Sequence, residues 1–579
     1  MRTANASTNA VLQVPAAWRR WAAFGLLGAG ALAVAGRAFD LQVVQRDFLT
    51  HEGDKRHVRT VDLPGFRGAI RDRRGEPLAL SAPVDSIWAV PSDLLDAPQY
   101  LDAVARLLGN KPSELRSSLQ QREDRQFVYL RRQIDPDQAN RILALKAPGV
   151  FSQREYRRYY PAGEVAAHVV GFCDIDGKGQ EGIESAQDAA LRGLAGSRRV
   201  IRDRTGRVVE DTNDYKPAQP GKDVNLTIDL HLQYIAYREL KAAVEAHGAK
   251  GGMIVVADPR SGEILALASQ PGYNPNRPDD RDSDGLRDRA VTDAFEPGST
   301  IKPLLIAQAF ELGKWRPDSR VDTGPGWFKV GTLTVHDIHP NGNIDLAQLL
   351  SKSSNVGAAK VGLSLGAQAV WAGYQKFGVG EPVAAGLPGE AGSVLRPYSQ
   401  WGDIATATAS YGYGVSVSAL HLVRSYCALA DDGLMPSLSI VRNATHIPPQ
   451  RVVSAQTASD VRQLLEGVVA PDGTALRAAI PGYRVAGKTG TVRKAAGGAY
   501  AHNEYISVFI GMVPADHPRL VGMVMIDDPR GTDYYGGLVA APVFSNVMRE
   551  GLRLLRVPPD VPAPASAPQS VALATGAHP

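Results

Sequence analysis

Phe295-Glu296-Pro297-Gly298-Ser299-Thr300-Ile301-Lys302-Pro303 reads as a loop feeding a helix. Pro297 and Gly298 break whatever precedes them. Ser299 has the side chain of an N-cap, and Pro303 fits only within a first helical turn. Leu304 to Phe310 is apolar at nearly every position, so the helix is expected to be buried all round. Gly313 supplies a stop. Ser299 and Lys302, three residues apart, share one helical face. A hydroxyl beside an amine in a dry site is an activated nucleophile, and a helix start offers free N–H groups to an oxyanion. The competing reading of a lone Ser-x-x-Lys is a capping serine with a snorkelling lysine.

Two further motifs follow in order. Ser353-Ser354-Asn355 begins 54 residues after Ser299, and Lys488-Thr489-Gly490-Thr491 begins 135 residues after Ser353. Ser-x-Asn is unspecific; Ser7-Thr8-Asn9 in the N-terminal tail is a decoy. Ser-x-x-Lys and Lys-Thr-Gly each occur once. The ordered set is the signature of penicillin-binding proteins and class A β-lactamases. In that arrangement Lys302 takes the Ser299 proton, provided burial and Lys488 depress its pKa. The N–H groups of Ser299 and Thr491 form an oxyanion hole. Ser353 passes a proton to the leaving amine, and Asn355 holds Lys302 and a substrate amide. Lys488, Thr489 and Thr491 bind a substrate carboxylate, and Gly490 lets the substrate backbone lie against the strand.

Gly482-Tyr483-Arg484-Val485-Ala486-Gly487-Lys488-Thr489 also satisfies the P-loop pattern. A P-loop opens into a helix. Tyr483 and Val485 favour strand, and no helical run follows, so nucleotide binding is not expected.

Around these motifs, Met253–Ala257 and Glu263–Ala268 read as strands joined by the turn Asp258-Pro259-Arg260-Ser261-Gly262. Leu226–Asp229 reads as a short strand and Leu232–His247 as a helix. Arg484–Val492, Tyr505–Val513 and Leu520–Ile526 read as three closing strands. The simplest assembly is an α/β (α+β) domain: one five-stranded, mostly antiparallel sheet flanked by helices, with the Ser299 helix packed on the sheet and on other helices. Upstream, residues 92–145 carry helical spacing, and Pro64 to Leu80 reads as a hairpin-like crossing with a salt-bridged arginine face. His168, in an apolar run, reads as a structural histidine.

At 579 residues the chain exceeds one core. A net charge of +4 points to no polyanionic partner, so nucleic acid is excluded as an expected ligand. Cys173 and Cys427 make no metal spacing or disulfide framework and read as buried thiols; neither metal nor cofactor is expected. Trp21 to Gly36 carries no charge, and its 16 residues give about 24 Å of helix against about 30 Å of hydrocarbon. Periodicity continues past Arg37, which can snorkel. Arg2, Arg19 and Arg20 place the basic side N-terminal, so the bulk is expected outside the cytoplasm. Ala33-Val34-Ala35 leaves a cleaved signal peptide as the alternative to an anchor.

From about Trp18 to Pro559 the chain resembles a class B penicillin-binding protein, more narrowly the cell-division peptidoglycan D,D-transpeptidase of the penicillin-binding protein 3 type in Gram-negative bacteria. The likeness rests on the three motifs and on Arg67-Gly68…Asp72-Arg73…Gly75, Tyr159-Tyr160-Pro161…Gly163-Glu164, Phe295-Glu296-Pro297-Gly298, Tyr411-Gly412-Tyr413-Gly414 and Tyr534-Tyr535-Gly536-Gly537. Asp288 stands where the family often has asparagine, and Gly487 where an aliphatic residue is usual.

The resemblance implies residues 1–20 as a cytoplasmic tail, 21–41 as an inner-membrane anchor and 42–220 as an N-terminal α+β pedestal or dimerisation-like domain. Residues 221–556 form the transpeptidase domain, and 557–579 a Pro/Ala/Ser-rich disordered tail. The expected substrates are stem pentapeptides of nascent, lipid-linked glycan, and β-lactams are the expected inhibitors. No glycosyltransferase module precedes the domain, so a membrane glycosyltransferase and septal assembly proteins are the implied partners. The implied enzyme is a serine-type D-Ala-D-Ala transpeptidase/carboxypeptidase; the alternatives are lateral-wall use, a β-lactamase, or an inert β-lactam sensor. The Glu-x-x-Leu-Asn segment of class A β-lactamases is not found in the sequence.

Overall fold

The computed structural model describes residues 17–49, 58–63, 65–202, 208–280, 283–442, 447–496 and 499–561. The Ser7-Thr8-Asn9 decoy, Pro64 and the end of the chain from 562 lie outside the described residues.

Helix α1 (Ala17–Phe39) continues as a π-helical turn, Asp40–Val44, giving 28 residues long and apolar enough to cross a membrane. That is longer than the uncharged run alone. Arg19, Arg20 and Arg37 all lie inside the helix, and Arg37 is paired to Asp40 at 2.5 Å. At 1.5 Å per residue the span is about 42 Å, enough for a single-pass anchor.

The chain divides into two compact units. The smaller comprises residues 1–65, 86–153 and 194–219. Three antiparallel strands, Val58–Leu63, Gly196–Arg202 and Val208–Lys216, form a sheet with the second in the middle. Its helical part opens each helix on proline: Pro91–Leu95, Pro98–Leu108, Pro112–Gln120 and Pro136–Leu143. Leu101, Val104, Ala105 and Leu108 form one buried stripe over Ile87, Leu94, Leu119 and Ile142. The helical expectation for 92–145 fails at Val128–Ile134, which is a strand. Val128-Tyr129-Leu130 supplies β-formers, and Asp135, accepting from the Asp137 N–H, starts the next helix afresh.

The larger unit comprises residues 66–85, 154–193 and 220–579. The crossing near its start is antiparallel, with Ile70 opposite Ala79 and Arg71 opposite Pro77. The arginines there are salt-bridged, as expected, Arg73 to Glu263 and Arg74 to Asp229. Arg67 is buried and bonds Glu184 at 2.5 Å and Asp188 at 2.7 Å, and Arg158 bonds the same Glu184 at 2.6 Å. His168 is a satisfied buried residue, its Nε2 lying 2.8 Å from the Gly285 carbonyl.

The principal elements of this unit are α2 (Leu230–Ala246), β1 (Gly251–Ala257), β2 (Ile264–Gln270), α3 (Lys302–Glu311), α4 (Asn355–Leu365), α5 (Ala419–Ala430), α6 (Ala455–Glu466), β3 (Ala486–Ala496), β4 (Ala499–Val513), β5 (Leu520–Asp527) and α7 (Ala541–Leu554). The strands form one antiparallel sheet in the order β2-β1-β5-β4-β3. Every residue of β1, β2 and β5 is buried, so both faces are covered. Helices α2 and α7 pack on each other and on the sheet, and α5 packs on β1, β4 and β5.

Two local expectations change. Leu226–Asp229 is not a strand; the pairing residues are Val224 and Asn225, and the Asp229 side chain caps α2 by accepting from His231 and Leu232. The Ser299 helix is also not chiefly sheet-packed. Helix α3 is buried from Lys302 to Ala309, but its main partners are α4, α6 and the helix Ala367–Lys376, while α5 takes the sheet. Residues 557–561 are tied down, with the Tyr483 hydroxyl on the Val557 carbonyl at 2.6 Å and Asp560 receiving the Arg484 N–H at 2.9 Å.

Candidate active site

Ser299 is not the N-cap of α3. Pro297 precedes a 3-10 turn, Gly298–Ile301, and α3 begins at Lys302. Ser299 is the second residue of that turn and half-buried. Its N–H lies where a helix has no internal acceptor. The turn is fixed from outside. Ala294 and Phe295 pair antiparallel with Ser418 and Val417, Gly298 N–H donates to the Gly412 carbonyl at 3.1 Å, and the Tyr426 hydroxyl donates to the Thr300 carbonyl at 2.8 Å. Gly412 has φ +90, and a Cβ there would lie 2.1 Å from the Gly298 carbonyl oxygen, so only glycine fits.

At the first residue of α3, Lys302 is fully buried. Its Nζ donates to the Ser353 carbonyl at 2.7 Å and to Asn355 Oδ1 at 2.8 Å, and lies 3.3 Å from Ser353 Oγ. Ser353 carries φ +59, a left-handed conformation that is unfavourable for a residue with a Cβ. On edge strand β3, Lys488 is also fully buried, and its Nζ donates to Ser353 Oγ at 2.9 Å. Burial pushes the Lys488 amine down to about 7. Burial, and then the charge of Lys488, hold Lys302 well below the ordinary lysine range, with Asp337 pulling the other way.

The strand supplies the rest. Thr489 Oγ1 lies 3.0 Å from Thr474 Oγ1, and Thr491 Oγ1 accepts from the Gly536 N–H at 3.2 Å. At Gly490 an added Cβ would meet Thr300 Cγ2 at 3.0 Å, so glycine lets the strand approach the Ser299 turn. The Tyr413 phenol is pushed up by burial and by Glu296, against a hydrogen bond from the Arg493 backbone. Strand N–H groups alternate sides, so Thr491, two residues earlier, directs its N–H the same way, off the open edge of β3. The 482–489 stretch turns into this strand rather than a helix, which disposes of the P-loop.

Sequence reading missed Asp337. Its carboxylate accepts from the Ser354 hydroxyl at 2.6 Å, the Asn355 N–H at 2.6 Å and the Val356 N–H at 2.9 Å, fixing the second motif at the start of α4. A single aspartate after a hairpin carries no spacing signal. Thr474 was missed for the same reason. Among the described residues, no cluster of His, Cys, Asp and Glu could hold a metal ion.

The three sequence motifs thus meet in one place, a serine turn and two buried lysines around a second serine beside an edge strand, which is the arrangement of the penicillin-binding protein class. Residues 252–549 match the penicillin binding protein transpeptidase domain family, and residues 62–226 the penicillin-binding protein dimerisation domain family. The chain is 42% identical over 535 residues to the probable peptidoglycan D,D-transpeptidase PenA of Neisseria gonorrhoeae, covering 92% of each. It is 39% identical over 530 residues to the peptidoglycan D,D-transpeptidase FtsI of Escherichia coli, covering 91% of this chain and 90% of that protein. Among solved structures, the transpeptidase domain of Burkholderia pseudomallei penicillin-binding protein 3 shares 41% identity at a TM-score of 0.54, covering 58% of this chain and 98% of that one. A peptidoglycan synthetase from Bifidobacterium adolescentis matches at 27% identity and a TM-score of 0.70, over 88% and 98%. The chain belongs to the penicillin-binding-protein family of peptidoglycan D,D-transpeptidases.

Proposed function

We propose that the chain cross-links stem peptides through an acyl-enzyme on Ser299. The carrying observation is the Ser353 hydroxyl, bonded by Lys488 at 2.9 Å and within 3.3 Å of Lys302. Lys302, deprotonated by its surroundings, takes the Ser299 proton. Ser299 Oγ attacks the penultimate D-Ala carbonyl, whose oxygen is received by the N–H groups of Ser299 and Thr491. The C–N bond breaks, the proton returns to the leaving amine through Ser353, and D-Ala departs. The amine of a second stem then attacks the ester and restores Ser299. Lys488, Thr489 and Thr491 hold the terminal carboxylate, Asn355 the substrate amide, and Gly490 admits the donor backbone.

β-Lactams follow the same first step and remain on Ser299. Mass spectrometry of the protein with penicillin is expected to show an adduct on the Ser299 peptide. A Ser299→Ala variant that still acquired it would overturn the reading.

The N-terminal anchor and the resemblance to the cell-division type support a place at the septum, with the bulk of the chain in the periplasm. The partner is then a membrane glycosyltransferase that polymerises the glycan, within the division assembly. Depletion is expected to give filaments; rounded cells would assign the enzyme to the lateral wall.

A further inference from the structure

A cavity of about 530 Å³ lies across the end of the sheet, beyond the catalytic motifs. Its wall includes Phe295 and Glu296, from the nucleophile loop, and Val492, Arg493 and Lys494, which directly follow Thr491 on β3. On the far side it reaches Lys250, at the start of β1. From β3 to β1 is three strand spacings, about 14 Å.

Most of its charges are already balanced. Lys494 bonds Asp527 at 2.7 Å, Arg289 bonds Asp527 at 3.3 Å, and Arg287 pairs with Asp293 at 2.7 Å. Glu296 is taken by the Gly414 N–H at 2.8 Å and by Tyr500. Among the described residues, Arg493 and Lys250 have no ion pair or hydrogen bond for their side chains, and of the acids only Asp284 has none. Arg289 Nε is buried with no acceptor among the described residues. The groove therefore offers unspent positive charge above a neutralised floor.

The reaction direction says what arrives there; this step rests on the function proposed above. With the terminal carboxylate at Lys488 and Thr489 and the scissile carbonyl at the Thr491 N–H, the donor runs antiparallel to β3. Its earlier residues must pass Val492 and Arg493, about 6.8 Å further on. In a stem peptide those residues carry the free carboxylates: the α-carboxylate of a γ-linked D-Glu, and that of the diamino acid side chain where it has one. We propose that this cavity is the subsite for the upstream part of the donor stem, with Arg493 at its near end and Lys250 at its far end receiving the free carboxylates.

The test compares stems on the full-length protein. Three pentapeptide donors are used: unmodified, amidated at the D-Glu α-carboxylate, and with lysine in place of a carboxylated diamino acid. Arg493→Gln and Lys250→Gln are each expected to lower kcat/KM for the unmodified donor about tenfold, mainly through KM. One of the two altered donors should lose a similar factor with the wild-type protein and show little further loss with the matching variant, which identifies the carboxylate. Penicillin acylation, which uses no upstream stem, should stay within about threefold of wild type. Equal losses on all three donors, no loss on any, or a parallel fall in penicillin acylation would overturn the subsite. Absence of penicillin acylation in the wild-type protein would instead overturn the acyl-enzyme reading.

Discussion

Lys302 and Lys488 converge on one oxygen: their ammonium nitrogens lie 3.3 and 2.9 Å from Ser353 Oγ, and both side chains are fully buried. Two amines cannot both stay charged at such a point, because burial and mutual repulsion each disfavour the cation. Helix α3 delivers one, edge strand β3 the other, and the strained Ser353 backbone sets the oxygen between them. The surroundings thus favour a neutral Lys302 amine, as the proposed base requires: its acceptors are a carbonyl, an amide oxygen and a hydroxyl rather than a carboxylate.

Lys488→Met tests this in two ways. Burial lowers Lys488 to about 7, so between about 7 and the ordinary lysine value of 10.5 the unfolded chain holds more protons than the folded one. The destabilisation is complete below about 7 and is relieved as pH rises toward 10.5. Wild type should therefore be less stable than the variant at pH 6, and the gap should be much smaller at pH 10, in thermal melts. Lys488 is also one cause of the low Lys302 value, so the variant raises Lys302 and moves the acidic limb of penicillin acylation to higher pH. An unmoved limb would show that Lys302 is not the base.

Asp337→Asn addresses the residue that no pattern revealed. Its carboxylate accepts three strong hydrogen bonds from the second motif, and charged acceptors contribute about 1.5–3 kcal/mol each. An amide retains shape but loses charge and turns one acceptor into a donor. The variant should fold, melt several degrees lower and acylate with penicillin at least tenfold more slowly. Wild-type acylation would mean that Asn355 holds Lys302 without this support.

The three motifs were legible as an ordered set: Ser-x-x-Lys and Lys-Thr-Gly each occur once, whereas Ser-x-Asn gained weight only from its place between them. The five strands were legible because β1, β2 and β5 are continuous apolar runs, as a doubly covered sheet requires. What was not legible depends on distant partners. Ser299 looked like a cap because serine caps helices, but contacts from Gly412, Val417 and Tyr426, more than a hundred residues on, hold it inside a 3-10 turn. Arg67 read as salt-bridged, but its partners, Glu184 and Asp188, lie in another segment and could not be named from the sequence. Val128–Ile134 was absorbed into a helical stretch because four proline-started helices flank it.

Gly412→Ala should separate folding from catalysis. The added methyl would meet the Gly298 carbonyl oxygen at 2.1 Å, and φ +90 is unfavourable for alanine. Either the Tyr411–Gly414 segment or the Ser299 turn must shift. Displacement of a reacting atom by about an ångström can cost about a hundredfold. Penicillin acylation should fall by about that factor, while far-ultraviolet circular dichroism is unchanged and the melt drops only a few degrees. Full activity would show that the turn does not need this contact.

Glu184→Ala examines the larger unit away from the catalytic cleft. The Glu184 side chain is fully buried and takes Arg67 at 2.5 Å and Arg158 at 2.6 Å; both guanidinium side chains are 7% exposed. Removing the carboxylate leaves two buried cations, with Asp188, 2.7 Å from Arg67, the one remaining carboxylate paired to them among the described residues. Breaking a buried pair in this way costs about 3–5 kcal/mol, whereas the intact pair adds little over apolar packing. The variant should unfold at markedly lower urea concentration. At low temperature, the fraction that remains folded should acylate with penicillin at the wild-type rate, because Ser299, Lys302 and Lys488 do not touch the network. Arg67→Met in the same background should recover part of the loss by removing one uncompensated charge. A double variant no more stable than Glu184→Ala alone would show that the lost stability lay in hydrogen bonds to the carboxylate rather than in stranded charge.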